Sequence, residues 1–340
     1  MATVTCFGEI MLRLQPANFE RFVQASSFEV EYGGGEANVS VSLSNFGVDT
    51  AFVSKLPANP IGQAAVNALR RYGVDTRHLV RGGERVGIYF LEKGASQRAS
   101  KVVYDRAHSS ISTAVKKDFD WSAILAGSTW FHFTGITPAL GDNVVEIVAE
   151  ACAAAKKAGC TISCDLNFRK NLWTSAKANA VMGSLMHYVD VCIANEEDAE
   201  KVFGIKAQNS NIADGRLNHD GYKAVARELQ EKFGFKQVAI TLRGSISASD
   251  NNWAAMLFDG TDYHFSKSYP IHIIDRVGGG DSFGAGLIYG LINNFSARDA
   301  LEFAVAASCL KHTIPGDMNM VSVDEVKTLM GGDGSGRVQR

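Results

Sequence analysis

Three consecutive glycines and an aspartate, Gly278-Gly279-Gly280-Asp281, stand ahead of an apolar run, Leu287-Ile288-Tyr289-Gly290-Leu291-Ile292. If that run is helical, its first turn offers main-chain N–H groups at the positive end of the helix dipole, where phosphate oxygens bind. Asp281 could simply cap such a helix. Beside a phosphate cradle, however, a carboxylate also stands where a hydroxyl nucleophile needs a proton acceptor, with the glycine amides of 278–280 stabilising charge on the phosphoryl group. No Gly-Lys-Ser/Thr follows, so this is not a Walker A loop, and its position late in the chain argues against a dinucleotide fingerprint. A second cluster, Gly33-Gly34-Gly35-Glu36-Ala37-Asn38, precedes a helix-like segment over 39–46 that stops at Gly47. Glycine admits a ligand close to the backbone, and Asn38 carries both a donor and an acceptor. Alone the cluster could be a tight turn, but together the two read as halves of one cleft.

The elements that must hold these residues follow from the hydrophobic pattern. From about residue 128 onward, short apolar runs at 130–136, 161–166, 189–194 and 238–242 alternate with helix-period segments at 143–157, 175–188 and 222–233. That is how βαβ units and a mainly parallel sheet appear in sequence. The first third is mixed, with strands expected at 4–14, 51–56, 86–91 and 101–104 and helices starting near Glu36 and Ile61. Segments near 10–32 and 84–106 lack an intervening helix and could form a small β-layer, a lid. Residues 208–221 form the longest polar insertion, and 331–340 read as a flexible tail behind one catalytic domain over 1–330.

Of the 340 residues, 46% are hydrophobic and 21% charged, enough apolar material for a sizeable core. The formal net charge of −2 lacks the basic excess of a nucleic-acid binder. No run is long enough to span a membrane. Six scattered cysteines show no CxxC spacing and the eight histidines no ligand pair, so buried reduced thiols in a cytoplasmic protein are expected.

Over nearly its whole length the chain resembles the ribokinase (PfkB) family of carbohydrate kinases. The 33–38 cluster is similar to that family's sugar-site signature, and Asp275-Arg276-Val277-Gly278-Gly279-Gly280-Asp281 to its DTxGAGD signature, with Arg276 for Thr and Gly279 for Ala. The resemblance implies an α/β three-layer sandwich with a mainly parallel central sheet and a small β-sheet lid. It implies ATP and Mg²⁺, and it admits a monovalent cation without requiring one. Asp281 would be the base, with Gly278, Gly279 and Gly280 as anion hole. Gly34, Gly35 and Asn38 would meet the sugar, and Asn167, Asn195, Thr241, Arg243, Gly244, Gly278 and Gly280 the nucleotide. In Asn195-Glu196-Glu197-Asp198, Asp198 replaces the usual Glu and would help hold Mg²⁺ through water. Val305 stands where ribokinases often carry Asn near the adenine.

Within the family, Tyr104-Asp105-Arg106, the stretch from Asp165 to Trp173 and the stretch from Lys311 to Asp317 are similar to kinases of 2-keto-3-deoxygluconate. A neutral sugar gives no reason for arginines in its pocket, whereas a sugar acid does, because guanidinium groups bind carboxylates through directed, charge-assisted hydrogen bonds. Tyr89, Tyr104, Arg106 and Arg169 are therefore expected around the acid end, and phosphorylation of the 6-hydroxyl is the expected reaction. A fructokinase-like ketohexose kinase and a non-catalytic sugar-binding regulator are the alternatives. Gluconate and galactonate forms of the acid differ at one hydroxyl and are not separated by sequence. Nor is oligomeric state, although self-association is compatible with this class.

Overall fold

The apolar runs become strands buried on both faces. A computed structural model describes residues 3–195, 197–206, 219–334 and 336. In chain order its strands are β1 (Thr3–Phe7), β2 (Met11–Gln15), β3 (Glu29–Gly33), β4 (Asp49–Val53), β5 (Lys55–Leu56), β6 (Val80–Arg81), β7 (Ile88–Glu92), β8 (Lys101–Asp105), β9 (Ser128–Thr134), β10 (Thr161–Asp165), β11 (Val191–Asn195), β12 (Gln237–Ser245), β13 (Asp250–Phe258), β14 (Tyr263–Phe265) and β15 (Tyr269–His272). The main sheet runs β14-β13-β12-β11-β10-β9-β1-β4, with β15 also on β13. From β12 to β4 every neighbouring pair is parallel, while the partners of β13 are antiparallel to it.

Period-two alternation sends the two faces of each strand into separate cores. In β1, Val4 and Cys6 pack with the helices Gly35–Asn45, Gly279–Ile292 and Ala297–Lys311, while Phe7 packs with Asp142–Lys157 on the other side. Helices thus cover both faces, the three-layer arrangement expected. All six cysteines are free and buried, and among the described residues no helix is long and apolar enough to cross a membrane.

The segments near 10–32 and 84–106 supply a separate four-stranded sheet, β3-β2-β7-β8. Three expectations need correction. The strand expected over 4–14 is two strands in different sheets: the chain leaves the main sheet at Gly8, where a Cβ would lie 2.1 Å from Oε2 of Glu36. The run at 51–56 likewise divides into β4 and β5, the latter pairing with β6. Strands β13 to β15 were not foreseen: β13 returns antiparallel along β12 after a short polar turn, and β14 and β15 both pair with it. The polar insertion lies outside the described residues up to 218, and from His219 the chain is helical through Phe233. Of the tail, 331–334 and 336 are described, and the remainder lies outside.

Candidate active site

Parallel strands place their carboxyl ends on one edge, where α/β proteins bind ligands. Here the loops after β9 to β12 and the small sheet enclose a cleft of about 630 Å³. The helix Gly279–Ile292 points its N-terminus into it. Gly278 precedes that helix with φ 80°, and a Cβ there would lie 1.8 Å from the Asp317 carbonyl oxygen, so only glycine fits. Gly280 faces open space, with nothing within 4 Å of a Cβ position. Gly279 differs from the expectation: its N–H donates to the Arg276 carbonyl at 3.3 Å, His312 fills the space beside it, and it does not line the cleft. The donors facing the cleft therefore narrow to Gly278, Gly280 and the first-turn amide of Asp281 itself, none of which has a main-chain acceptor among the described residues.

Asp281 lines the cleft in that first turn, partly buried. Burial raises its carboxyl to about 6, opposed by a hydrogen bond from Asn38 and reinforced by the charge of Asp317. Asn38 Nδ2 donates to Asp281 Oδ2 at 2.7 Å, and Gly34 N donates to Asn38 Oδ1 at 3.3 Å. A Cβ on Gly35 would be 3.6 Å from Asp281 Oδ1. The two glycine clusters thus meet at one carboxylate. Glu36, in the same cluster, turns away from the cleft: its Oε1 accepts from Thr134 N at 2.9 Å, Thr134 Oγ1 at 2.8 Å and Thr137 Oγ1 at 2.6 Å.

The expected acid end is less uniform. Tyr104, Arg106, Tyr89 and Arg169 all line the cleft. Arg106 is buried and already paired: its Nε donates to Glu9 Oε2 at 2.9 Å, its Nη2 bonds the same oxygen, and its guanidinium lies 5.4 Å from the Tyr104 ring centroid. Tyr89 is buried too, its hydroxyl against both oxygens of Asp317 at 2.6 Å. Arg169 is exposed, with one long contact to the Phe168 carbonyl at 3.5 Å. Its charge stabilises the ionised forms of Asp165, Asp198 and Asp281. Asp165 nevertheless stands well above the ordinary carboxylate range, pushed by burial and then by Asp198 and Asp281.

On the opposite side, Asn167 adopts φ 39°, a left-handed conformation that asparagine tolerates, and its N–H donates to Asp165 Oδ1 at 3.2 Å. Asn195 Oδ1 accepts from the amides of Glu197 at 2.8 Å and Asp198 at 3.0 Å, starting the helix Asp198–Phe203. Asp198 returns bonds to Phe168 N at 3.0 Å and Asn195 N at 3.1 Å, which fasten the ends of β10 and β11 together. Among the described residues no group of three His, Cys, Asp or Glu could hold a metal ion. Thr241, Arg243 and Arg276 line the cleft, whereas Gly244 does not and pairs with Asn252 in the hairpin. Arg243 and Arg276 are close enough that Arg243, after burial, lowers the pKa of Arg276. Val305 is fully buried in the core.

Sequence reasoning missed a buried charge cluster. Arg13 of β2 is fully buried, with Nη1 on Asp317 Oδ1 at 2.5 Å and Nη2 on Asp275 Oδ2 at 2.5 Å and on Gln15. It joins the small sheet to the segments that carry Asp275 and Asp317. A charged residue between Leu12 and Leu14 was the available signal, but its partners lie far away in the chain.

Residues 1–323 match the family described as pfkB family carbohydrate kinase. The 2-dehydro-3-deoxygalactonokinase of Haloferax volcanii is 33% identical over 333 residues, with 98% of each chain covered. The 2-dehydro-3-deoxygluconokinase of Bacillus subtilis is 26% identical, covering 92% of this chain and 90% of its own. Among solved structures, 2-dehydro-3-deoxygluconokinase of Thermotoga maritima matches at a TM-score of 0.94 and 53% identity, covering 97% of this chain and 98% of that one. As its two glycine signatures implied, the chain belongs to the PfkB family of carbohydrate kinases.

Proposed function

We propose that this kinase transfers the γ-phosphoryl group of ATP to the 6-hydroxyl of 2-dehydro-3-deoxy-D-gluconate, giving ADP and the 6-phosphate. The observation that carries the reading is Asp281, a cleft carboxylate held between a helix N-terminus and Asn38 and tuned to about 6. At neutral pH it is largely ionised and can take the hydroxyl proton as the sugar oxygen bonds to phosphorus and the bond to the ADP oxygen breaks. The amides of Gly278, Gly280 and Asp281 face the oxygens on which charge accumulates. Arg243 and Arg276 supply the cationic wall for the remaining phosphates. Mg²⁺ carried with the nucleotide would neutralise phosphate charge. Both Asp198 oxygens are engaged by amides, which suits a hold through water better than direct ligation.

The substrate class rests on Arg169 and Arg106 together with the names of the relatives. Glu9 already offsets the charge of Arg106, so Arg169 is the principal partner of the substrate carboxylate and Arg106 a shared one. The galactonate form is the second reading, favoured by the Haloferax volcanii relative. A coupled ADP-release screen across both 2-dehydro-3-deoxy acids and fructose separates the readings. The sugar acids are expected to exceed fructose in kcat/KM by roughly 10²-fold, about the worth of one desolvated charge-assisted contact. Comparable turnover of fructose would move the assignment to a ketohexose kinase, and no ADP release with any sugar would leave a sugar-binding regulator.

A further inference from the structure

Lys311 closes the helix Ala297–Lys311 and turns inward, where its side chain is fully buried. Its ammonium donates to three main-chain carbonyls: Gly316 at 2.6 Å, Asp275 at 3.2 Å and Ile314 at 3.5 Å. Among the described residues every hydrogen-bond partner is a backbone oxygen, and none is a carboxylate. Burial pulls its pKa below the ordinary lysine value, while the charges of Asp275 and Asp317 push it back up. Burying an ammonium costs desolvation that an apolar side chain would avoid, so its placement calls for a reason beyond packing.

The carbonyls it gathers suggest that reason. Asp275 opens the segment that turns through Gly278 into the helix bearing Asp281. Gly316 precedes Asp317, whose carbonyl is the atom a side chain at Gly278 would strike. The ammonium therefore fastens the two loops that shape the anion site, and its charge also favours the ionised form of Asp281. Main-chain carbonyls converging on a desolvated monovalent cation are the coordination chemistry of K⁺. We propose that Lys311 is a tethered substitute for a monovalent cation: its ammonium fills the carbonyl cage behind the anion site and makes phosphoryl transfer independent of K⁺ or NH₄⁺. Lys311 acts through the loops it holds and is a positioning residue. The kinetic part of this proposal rests on the anion-site reading above, and the stability part does not.

The test uses the full chain at constant ionic strength, in tetramethylammonium chloride with or without K⁺ or NH₄⁺. The native protein is expected to keep the same Tm and kcat in all three salts. Lys311→Ala is expected to lose Tm and roughly tenfold or more in kcat in tetramethylammonium, and to regain both, saturably, as K⁺ or NH₄⁺ enters the vacated cage. Lys311→Met, which fills the cage with an apolar chain, should be depressed in every salt. If Lys311→Ala folds only when K⁺ or NH₄⁺ is present, the proposal stands. It is overturned if the native enzyme requires K⁺, or if Lys311→Ala gains nothing from either ion in folding, Tm or kcat. Recovery of Tm by K⁺ without any substrate would hold even if the sugar assignment failed.

Discussion

Replacing Asn38 by alanine should move the acid limb of the pH–rate profile toward neutrality. Among the described residues, Asn38 Nδ2 is the side-chain donor on the Asp281 carboxylate, at 2.7 Å, and it opposes the burial that raises the carboxyl, the two together leaving it at about 6. A hydrogen bond to a charged group contributes about 1.5–3 kcal/mol, and one pH unit corresponds to about 1.4 kcal/mol. The limb should therefore rise by about one to two units, and by less where water enters the vacated space. Because the base works only when ionised, kcat/KM of the native enzyme falls below about pH 6, and that of Asn38→Ala already falls between roughly pH 7 and pH 8. Loss of a sugar contact would lower the alkaline plateau without moving the limb, and titration of the nucleotide is common to both proteins. The assay is kcat/KM across the pH range for native and variant. Coincident limbs, whatever the plateaus, would refute the view that Asn38 tunes the base.

The two arginines should behave unequally: Arg169→Ala is expected to cost about 2–5 kcal/mol in kcat/KM for the sugar acid and much less for fructose, with Arg169→Lys rescuing only in part. Arg106→Ala should cost less substrate discrimination, since it also strands Glu9, and equal losses for both sugars at both positions would make these arginines organisers of the fold. The small sheet should act as a lid, so hydrogen exchange in β2, β3, β7 and β8 should slow with saturating substrate and a nucleotide analogue, and unchanged exchange would count against closure. Glu36 carries a stability prediction. Burial raises its pKa to about 7 against an ordinary 4.5, so the folded state binds more protons between those values and its contribution to stability falls as pH rises through them. Glu36→Gln keeps the Oε1 acceptor without the charge and should flatten that decline, by at most about 3 kcal/mol, in denaturation midpoints at pH 5 and pH 8; parallel pH profiles would show that Glu36 stays ionised throughout.

Short-range chemistry was the legible part of this protein. Glycines at 278 and 280 and the carboxylate at 281 are legible because they sit together ahead of an apolar run, and the amide at 38 because it closes a second glycine cluster. The parallel strands were legible because their runs are apolar on both faces. What escaped depends on distant partners. Arg13 gives no sign of its role until Asp275 and Asp317 close around it, and Arg106 reads as a carboxylate receptor until Glu9 is seen to occupy it. Gly279 looks equivalent to its neighbours, yet the turn after Gly278 directs its amide to Arg276. The division of the first strand at Gly8 was hidden for the same reason, since the Glu36 carboxylate that demands a glycine lies in a different element.

The central claim is that Asp281 removes the proton from the sugar hydroxyl, and Asp281→Asn tests it most directly. Asparagine preserves size and can keep a hydrogen bond with Asn38, so the fold and ATP binding measured by calorimetry should persist. With 2-dehydro-3-deoxy-D-gluconate and ATP saturating, kcat should fall by roughly 10²- to 10⁴-fold, the usual worth of a general base. A variant that binds ATP normally and retains near-native kcat would contradict the account.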